Sequence, residues 1–348
     1  MIKTLITVLI IFGFVNASAQ SILHDYFNGN KDSMVTEAYK LVNSPEPTFK
    51  PNKLTNADAA SIVDMGNEQV YETQDHYFTT RDNKKIFAYN FPMKSLNTII
   101  LIHGVKSSAK EYNKMAGILR ESTQSEVFAI DLRGHGKSDG KDGDVDYLNQ
   151  YAVDLDDIIA AIRKEKPKGK IIIAGHSMGG GVAILQAMLK NKETSDGYIL
   201  FAPLIGHDSP AFQQPASVNT NDSIEPFMKI HFARIIGLKM FNEIGNHTYD
   251  SLPVLFFNLP GNMPSAKYTY RANMSMAPEN YSEGLKAINK PMLVLIGNKD
   301  EAFNAEAMKK AVTENSNGAV HIIDGATHNG IRNNPESYVI IQKWFEEL

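Results

Sequence analysis

A chain of 348 residues, 43% hydrophobic and 21% charged, has a globular composition and room for one large α/β domain with an insertion, or for two small domains. Its formal net charge of −4, with no basic run, excludes a polycationic surface, so no nucleic-acid partner is expected. The absence of cysteine excludes a disulfide framework, thiol catalysis, a cysteine-held metal and lipid attachment at a processed N-terminal cysteine.

Residues 1–19 combine Lys3, an apolar run from Leu5 to Val15 and a small-residue ending at Ala17-Ser18-Ala19. This pattern predicts a secretory signal peptide cleaved after Ala19 and a secreted or periplasmic protein, with an uncleaved N-terminal anchor as the other outcome. The run is too short to span a bilayer comfortably and no later stretch reaches the ~20 residues required, so no stable membrane span is expected after cleavage. Residues 20–70 form an N-terminal extension with two weakly helical pieces and a proline-containing break from Ser44 to Pro51; it is expected to pack on the core.

Regular patterning begins near residue 71. Val70 to Thr80 and Lys85 to Phe91 alternate around Arg81-Asp82-Asn83-Lys84 and predict a hairpin. Thr98 to Ile102 is an apolar strand that ends at His103-Gly104, and a helical stretch follows through Tyr112 and Leu119. Glu126 to Asp131 is a strand, and Tyr151 to Arg163 is a helix with apolar positions at Leu155, Ile158, Ile159 and Ile162. Lys170 to Gly175 is a β-branched strand that breaks at Ser177 and resumes as a helix, and Gly197 to Ala202 is another strand. After an irregular stretch come the strand Met292–Gly297, a helix from Ala305 to Val312, the strand Ala319–Ile323 and a closing helix from Pro335 to Glu347. Continuous apolar strands alternating with helices predict an α/β fold whose mostly parallel central sheet is covered by helices on both faces.

Gly175-His176-Ser177-Met178-Gly179 fits G-x-S-x-G between a strand and a helix. In that context the pentapeptide is a nucleophile elbow, which makes Ser177 the candidate nucleophile. A serine nucleophile requires a histidine to take its proton, a carboxylate to orient that histidine, and amides to hold an oxyanion. Parallel sheets gather such groups where their strands end. His328 lies just past the last strand, in a loop bounded by Gly325 and Gly330, and Asp300 follows the strand ending at Gly297. The amides of Met178, directly after the serine, and of Val105, in the loop opened by His103-Gly104, are the candidate oxyanion donors. The chain order Ser, Asp, His is that of an α/β-hydrolase. Glu301 is a register alternative for the acid, whereas Asp131 is expected to hold the turn Arg133-Gly-His-Gly136 by hydrogen bonds.

His103-Gly104, Asp131 to Ser138, Gly175 to Gly180, Gly297-x-x-Asp300 and His328 together make residues 71–205 and 286–348 resemble the α/β-hydrolase superfamily. Within it they resemble the branch of monoacylglycerol lipases, lysophospholipases and serine aminopeptidases. The resemblance implies a structural role for His103 and adds Asp208 as an alternative acid, since some relatives carry it one strand earlier. His321 is expected as a core imidazole within its strand, and His176 as facing away from the reaction. No His and carboxylate set has metal spacing, so neither a metal nor a cofactor is expected.

Residues 206–285 exceed what a bare core needs and read as a cap insertion. Its segment Pro226 to Phe241 is apolar on more than one helical face, and Met263, Met274 and Met276 are expected to add adaptable apolar surface. This favours an exported carboxylic-ester hydrolase, lipase- or lysophospholipase-like, whose partner is a small-molecule ester with an apolar acyl group. A serine aminopeptidase or other amide hydrolase is the alternative, with Glu225, Glu243 and Asp250 available for a substrate ammonium. A non-catalytic binding protein on the same fold is the third reading.

Overall fold

The computed structural model describes residues 31–50, 54–55, 67–213, 224–258 and 267–348. The expected signal peptide and Met263 lie outside them. The chain divides into two compact units, one around residues 57–220 and 274–348, the other combining residues up to 56 with 221–273.

The larger unit is built on an eight-stranded sheet. Its elements are β1 (Gln74–Thr79), β2 (Lys85–Phe91), β3 (Thr98–Ile102), α1 (Asn113–Thr123), β4 (Glu126–Ile130), α2 (Gln150–Glu165), β5 (Ile171–His176), α3 (Met178–Met188), β6 (Gly197–Phe201), α4 (Tyr281–Ala287), β7 (Met292–Gly297), α5 (Ala305–Asn315), β8 (Ala319–Ile323) and α6 (Pro335–Glu346). The strands lie in the order β8-β7-β6-β5-β3-β4-β2-β1. Only β2 runs antiparallel to its neighbours β1 and β4. Strands β3, β5, β6 and β7 are buried along their whole length, as their unbroken apolar sequences require when both faces are covered.

Two features of this order position chemistry. The chain builds β4 on one side of β3 and β5 on the other, so the loops leaving β3 and β5 diverge from adjacent strand ends, with Ile102 paired to Gly175. At the other side, Gly297 at the end of β7 pairs with Ile323 at the end of β8. The loops bearing Asp300 and His328 therefore leave neighbouring strands in the same direction. His321 differs from expectation: β8 is the edge strand and alternates its faces, which leaves that imidazole exposed.

The smaller unit changes the expected place of the extension. Helix Lys31–Val42 packs along helix Phe232–Glu243, where Gly237 permits close approach: a Cβ there would stand 2.8 Å from the Ala38 carbonyl oxygen. Tyr39 meets Phe241 edge-on at 4.9 Å. Buried Arg234 donates to the Val42 carbonyl at 2.9 Å and to Glu46 at 3.0 Å, Glu46 also holds Lys267 at 2.7 Å, and Leu54–Thr55 pairs in parallel with Ile224–Glu225. Within this unit, residues 31–50 are thus part of the insertion's own packing. The apolar segment from Pro226 is a short strand, Met228–Ile230, before its helix begins, because its register with Phe257 to Leu255 supplies backbone partners that a helix would forgo. Residues 206–213 and 274–285 group with the sheet: Phe212 bridges to Phe303, and Gly181 in α3 approaches the Met276 carbonyl. Met274 and Met276 are buried there, 8% and 3% exposed, and do not supply the adaptable surface expected of them.

Candidate active site

Strand β5 ends at His176, and the next residue, Ser177, adopts φ 53° and ψ −116° before α3 begins at Met178. A positive φ is unfavourable for a serine and persists only where its surroundings over-determine it. Here the Ser177 N–H donates to the Phe201 carbonyl on β6 at 3.0 Å, while the Ser177 carbonyl accepts from Gly180 at 3.0 Å and Leu204 at 2.9 Å. The flanking glycines answer to close approach: a Cβ on Gly175 would stand 2.5 Å from the Gly179 carbonyl oxygen, and one on Gly179 would stand 2.3 Å from that of Ile102. Met178 is the first residue of α3, so its amide has no acceptor within the helix.

The loop leaving β3 is fixed by two histidines in defined tautomers. His103 is buried; its Nε2 accepts the Leu132 N–H at 3.1 Å, so its proton is on Nδ1, which donates to the Gly104 carbonyl at 2.8 Å. Burial pushes its pKa down to about 4. Next along the loop, the Gly104 N–H donates to the Tyr112 hydroxyl oxygen at 2.9 Å, and that hydroxyl donates to Nδ1 of His176 at 2.7 Å. The other ring nitrogen of His176 donates to the His328 carbonyl at 2.9 Å. Burial, then the proximity of His328, holds the His176 pKa well below the ordinary imidazole value, so the ring is neutral. A Cβ on Gly104 would lie 3.5 Å from that of Ser177, which puts Val105, the following residue, in the turn beside the elbow.

Asp300 and His328 come together as the sequence predicts. Oδ2 of Asp300 accepts from Nδ1 of His328 at 2.9 Å, and Oδ1 accepts the N–H groups of Ala302 and Phe303, each at 2.8 Å. The Asp300 side chain is wholly buried and that of His328 is 14% exposed. The alternative acids are engaged elsewhere. Asp208 accepts from the Tyr281 N–H at 2.7 Å and the Asn280 amide at 2.9 Å, and Glu301 accepts the backbone N–H of His328 at 3.0 Å. Asp131 holds its turn as expected, accepting from Ala109 at 2.6 Å and Lys137 at 2.8 Å.

Tyr112 and His176 are the site residues that the sequence reading passed over. His176 does not merely face away: through Tyr112 it links the turn after β3 to the His328 loop. The signal available was an aromatic-capable residue inside the elbow, and the tyrosine that pairs with it lies 64 residues earlier in the chain. Tyr112→Phe keeps the ring over which the Arg332 guanidinium stacks at 4.4 Å but strands a buried N–H and a buried ring nitrogen. We expect it to lower kcat on ester substrates about tenfold and stability by about 2 kcal/mol, the usual cost of an unmade buried hydrogen bond. Steady-state kinetics and denaturant midpoints read both.

Acid should loosen the same turn. The folded pKa of His103, about 4, lies below the ordinary 6.5, so the folded chain binds fewer protons than the unfolded one and stability falls as pH drops through that window. His103 alone then contributes a loss of about 2 kcal/mol near pH 5. His135, pushed down to about 3 chiefly by burial, acts in the same sense. Urea midpoints near pH 7.5 and near pH 5 test this; an unchanged midpoint contradicts a neutral, buried pair.

Among the described residues, no group of three or more His, Cys, Asp or Glu is placed to hold a metal ion, and no helix is long and apolar enough to cross a membrane.

The chain is similar to several known proteins. Residues 94–237 match the family model described as serine aminopeptidase, S33. A monoglyceride lipase homolog of monkeypox virus is 24% identical over 71% of this chain and 87% of its own. The monoacylglycerol lipase of Mycolicibacterium smegmatis is 23% identical over 70% of this chain and 84% of its own. Rat monoglyceride lipase is 34% identical over a shorter stretch, 31% of this chain and 35% of its own. Among solved structures, the Pyrococcus furiosus esterase Pf2001 shares the fold with a TM-score of 0.52 and 20% identity over 86% of this chain and 99% of its own. In its sheet order, its serine elbow and these matches the chain has an α/β-hydrolase fold and is similar to serine hydrolases of the esterase and lipase kind, with the S33 match over residues 94–237.

Proposed function

We propose that the protein is an exported hydrolase of carboxylic esters with an apolar acyl group, acting through Ser177, His328 and Asp300. The observation that carries this reading is the ordered imidazole: His328 binds buried Asp300 through Nδ1, and its peptide carbonyl is tied to His176, the residue before Ser177. With Nδ1 engaged as donor, Nε2 is the base. In this reading the Ser177 hydroxyl oxygen attacks the ester carbonyl while Nε2 takes its proton. The amides of Val105 and Met178 stabilise the resulting oxyanion, where one donor is typically worth ~10² to 10³ in rate. Imidazolium then protonates the leaving alkoxide as the C–O bond breaks, and water, deprotonated by the same imidazole, releases the carboxylic acid from the acyl-serine.

The apolar acyl group is supported by relatives described as monoglyceride and monoacylglycerol lipases. Amide hydrolysis is the second reading, favoured by the serine aminopeptidase description of the matched family. Nitrophenyl esters of increasing chain length, assayed beside aminoacyl nitroanilides, separate the two. Turnover that peaks at medium or long esters supports the lipase-like reading; preferential anilide turnover overturns it. Export rests on residues 1–19, and a mature protein beginning at Gln20 in the culture medium or periplasm tests it.

A further inference from the structure

We propose that Glu301, next to the acid of the triad, is a positioning residue for His328. The inference rests on the reading of His328 as the base. An imidazole works as a base only if its ring is held within a fraction of an ångström of the productive position, and a misplacement of about 1 Å costs up to about 10²-fold in rate. The ring of His328 is held by Asp300 through Nδ1 and by the edge of Phe303, whose ring centre lies 5.4 Å away. Its peptide is held at both poles. His176 donates to the carbonyl at 2.9 Å, and the Glu301 carboxylate accepts the N–H at 3.0 Å.

The segment that carries His328 needs such holding. It follows edge strand β8, turns at Gly325 with φ 69°, and reaches His328 without helix or strand of its own. Upstream it is knitted to the loop after β7: Asn298 donates to Asp324 at 2.6 Å and accepts from Gly325 at 2.8 Å, and Lys299 donates to the Ala326 carbonyl at 3.1 Å. Glu301 adds a bond at the histidine itself, so the adjacent carboxylates of Asp300 and Glu301 grip the ring and the backbone of one residue. The duty of Glu301 is that of a hydrogen-bond acceptor, which a neutral amide oxygen also fulfils.

Glu301→Ala and Glu301→Gln should therefore diverge. On the preferred nitrophenyl ester, Glu301→Ala is expected to lower kcat about tenfold with KM within about twofold, while Glu301→Gln stays within about twofold of wild type. Thermal midpoints of both variants are read first; because Glu301 is exposed, both are expected to fold as wild type. Wild-type kcat in Glu301→Ala overturns the proposal. Equal losses in both variants also overturn it, since the charge rather than the acceptor would then matter. A loss confined to KM for aminoacyl nitroanilides overturns it as well and assigns the carboxylate to a substrate ammonium. Ser177→Ala in the same assay separates the underlying reading: if that variant retains turnover, the base assignment fails before Glu301 is in question.

Discussion

Ser177→Ala is expected to reduce kcat on the preferred nitrophenyl ester by at least about 10⁵-fold while leaving the fold unchanged. The size follows from what one oxygen does. In the proposed mechanism it forms the acyl bond, and without it the imidazole and the oxyanion amides retain only the residual acceleration that binding and electrostatics provide. The substitution is structurally mild. The bonds that hold the elbow run through the Ser177 backbone, to Phe201, Gly180 and Leu204, and none of them uses the hydroxyl. Alanine faces the same φ of 53° that serine does, so circular dichroism and denaturant midpoint should match wild type. Progress curves with enzyme in excess measure the residual rate.

Asp300→Asn is expected to cost about 10⁴-fold in kcat, with the protein again folded. The two oxygens of Asp300 have different partners: Oδ1 takes two backbone N–H groups, and Oδ2 takes Nδ1 of His328. Asparagine must leave its only oxygen with Ala302 and Phe303, because turning it would point an NH₂ at two amide donors. The NH₂ therefore faces His328, whose Nδ1 must become an acceptor, and the ring proton moves to Nε2. That is the tautomer unable to receive the serine proton. The loss should appear in kcat with little change in KM, and fluorophosphonate labelling of Ser177 should slow in parallel. A variant that retains more than about a tenth of wild-type kcat contradicts the assigned role of the acid.

Much of the site was legible because its chemistry sits at strand ends. Strands such as Ile171–His176 and Met292–Gly297 are covered on both faces and so read as unbroken apolar runs, which fixes where they stop. Ser177 and Asp300 follow such stops, His328 follows the edge strand Ala319–Ile323, and the order of strands then brings their loops together. What escaped the sequence depended on neighbours distant in the chain. Tyr112 is an unremarkable tyrosine until the sheet places it against His176. His321 reads as a core residue in any strand, and is exposed because β8 lies at the edge, a fact of topology rather than of local pattern. Residues 228–230 form a strand because a short apolar run does not distinguish strand from helix by periodicity, and a partner strand decided the matter. The extension could not be placed for a similar reason: Gly237 and Arg234 specify a close helix partner and a carbonyl to bind, but not that residues 31–50 supply them.

The most direct measurement is to identify the residue that becomes covalently modified when the protein meets a fluorophosphonate, by mass spectrometry of the intact chain and its peptides, alongside ester turnover. A single adduct on the peptide containing Ser177, formed as ester hydrolysis is lost and absent from Ser177→Ala, is the result expected of a serine nucleophile at the elbow. An adduct on another residue, or hydrolysis that persists in Ser177→Ala, would contradict it.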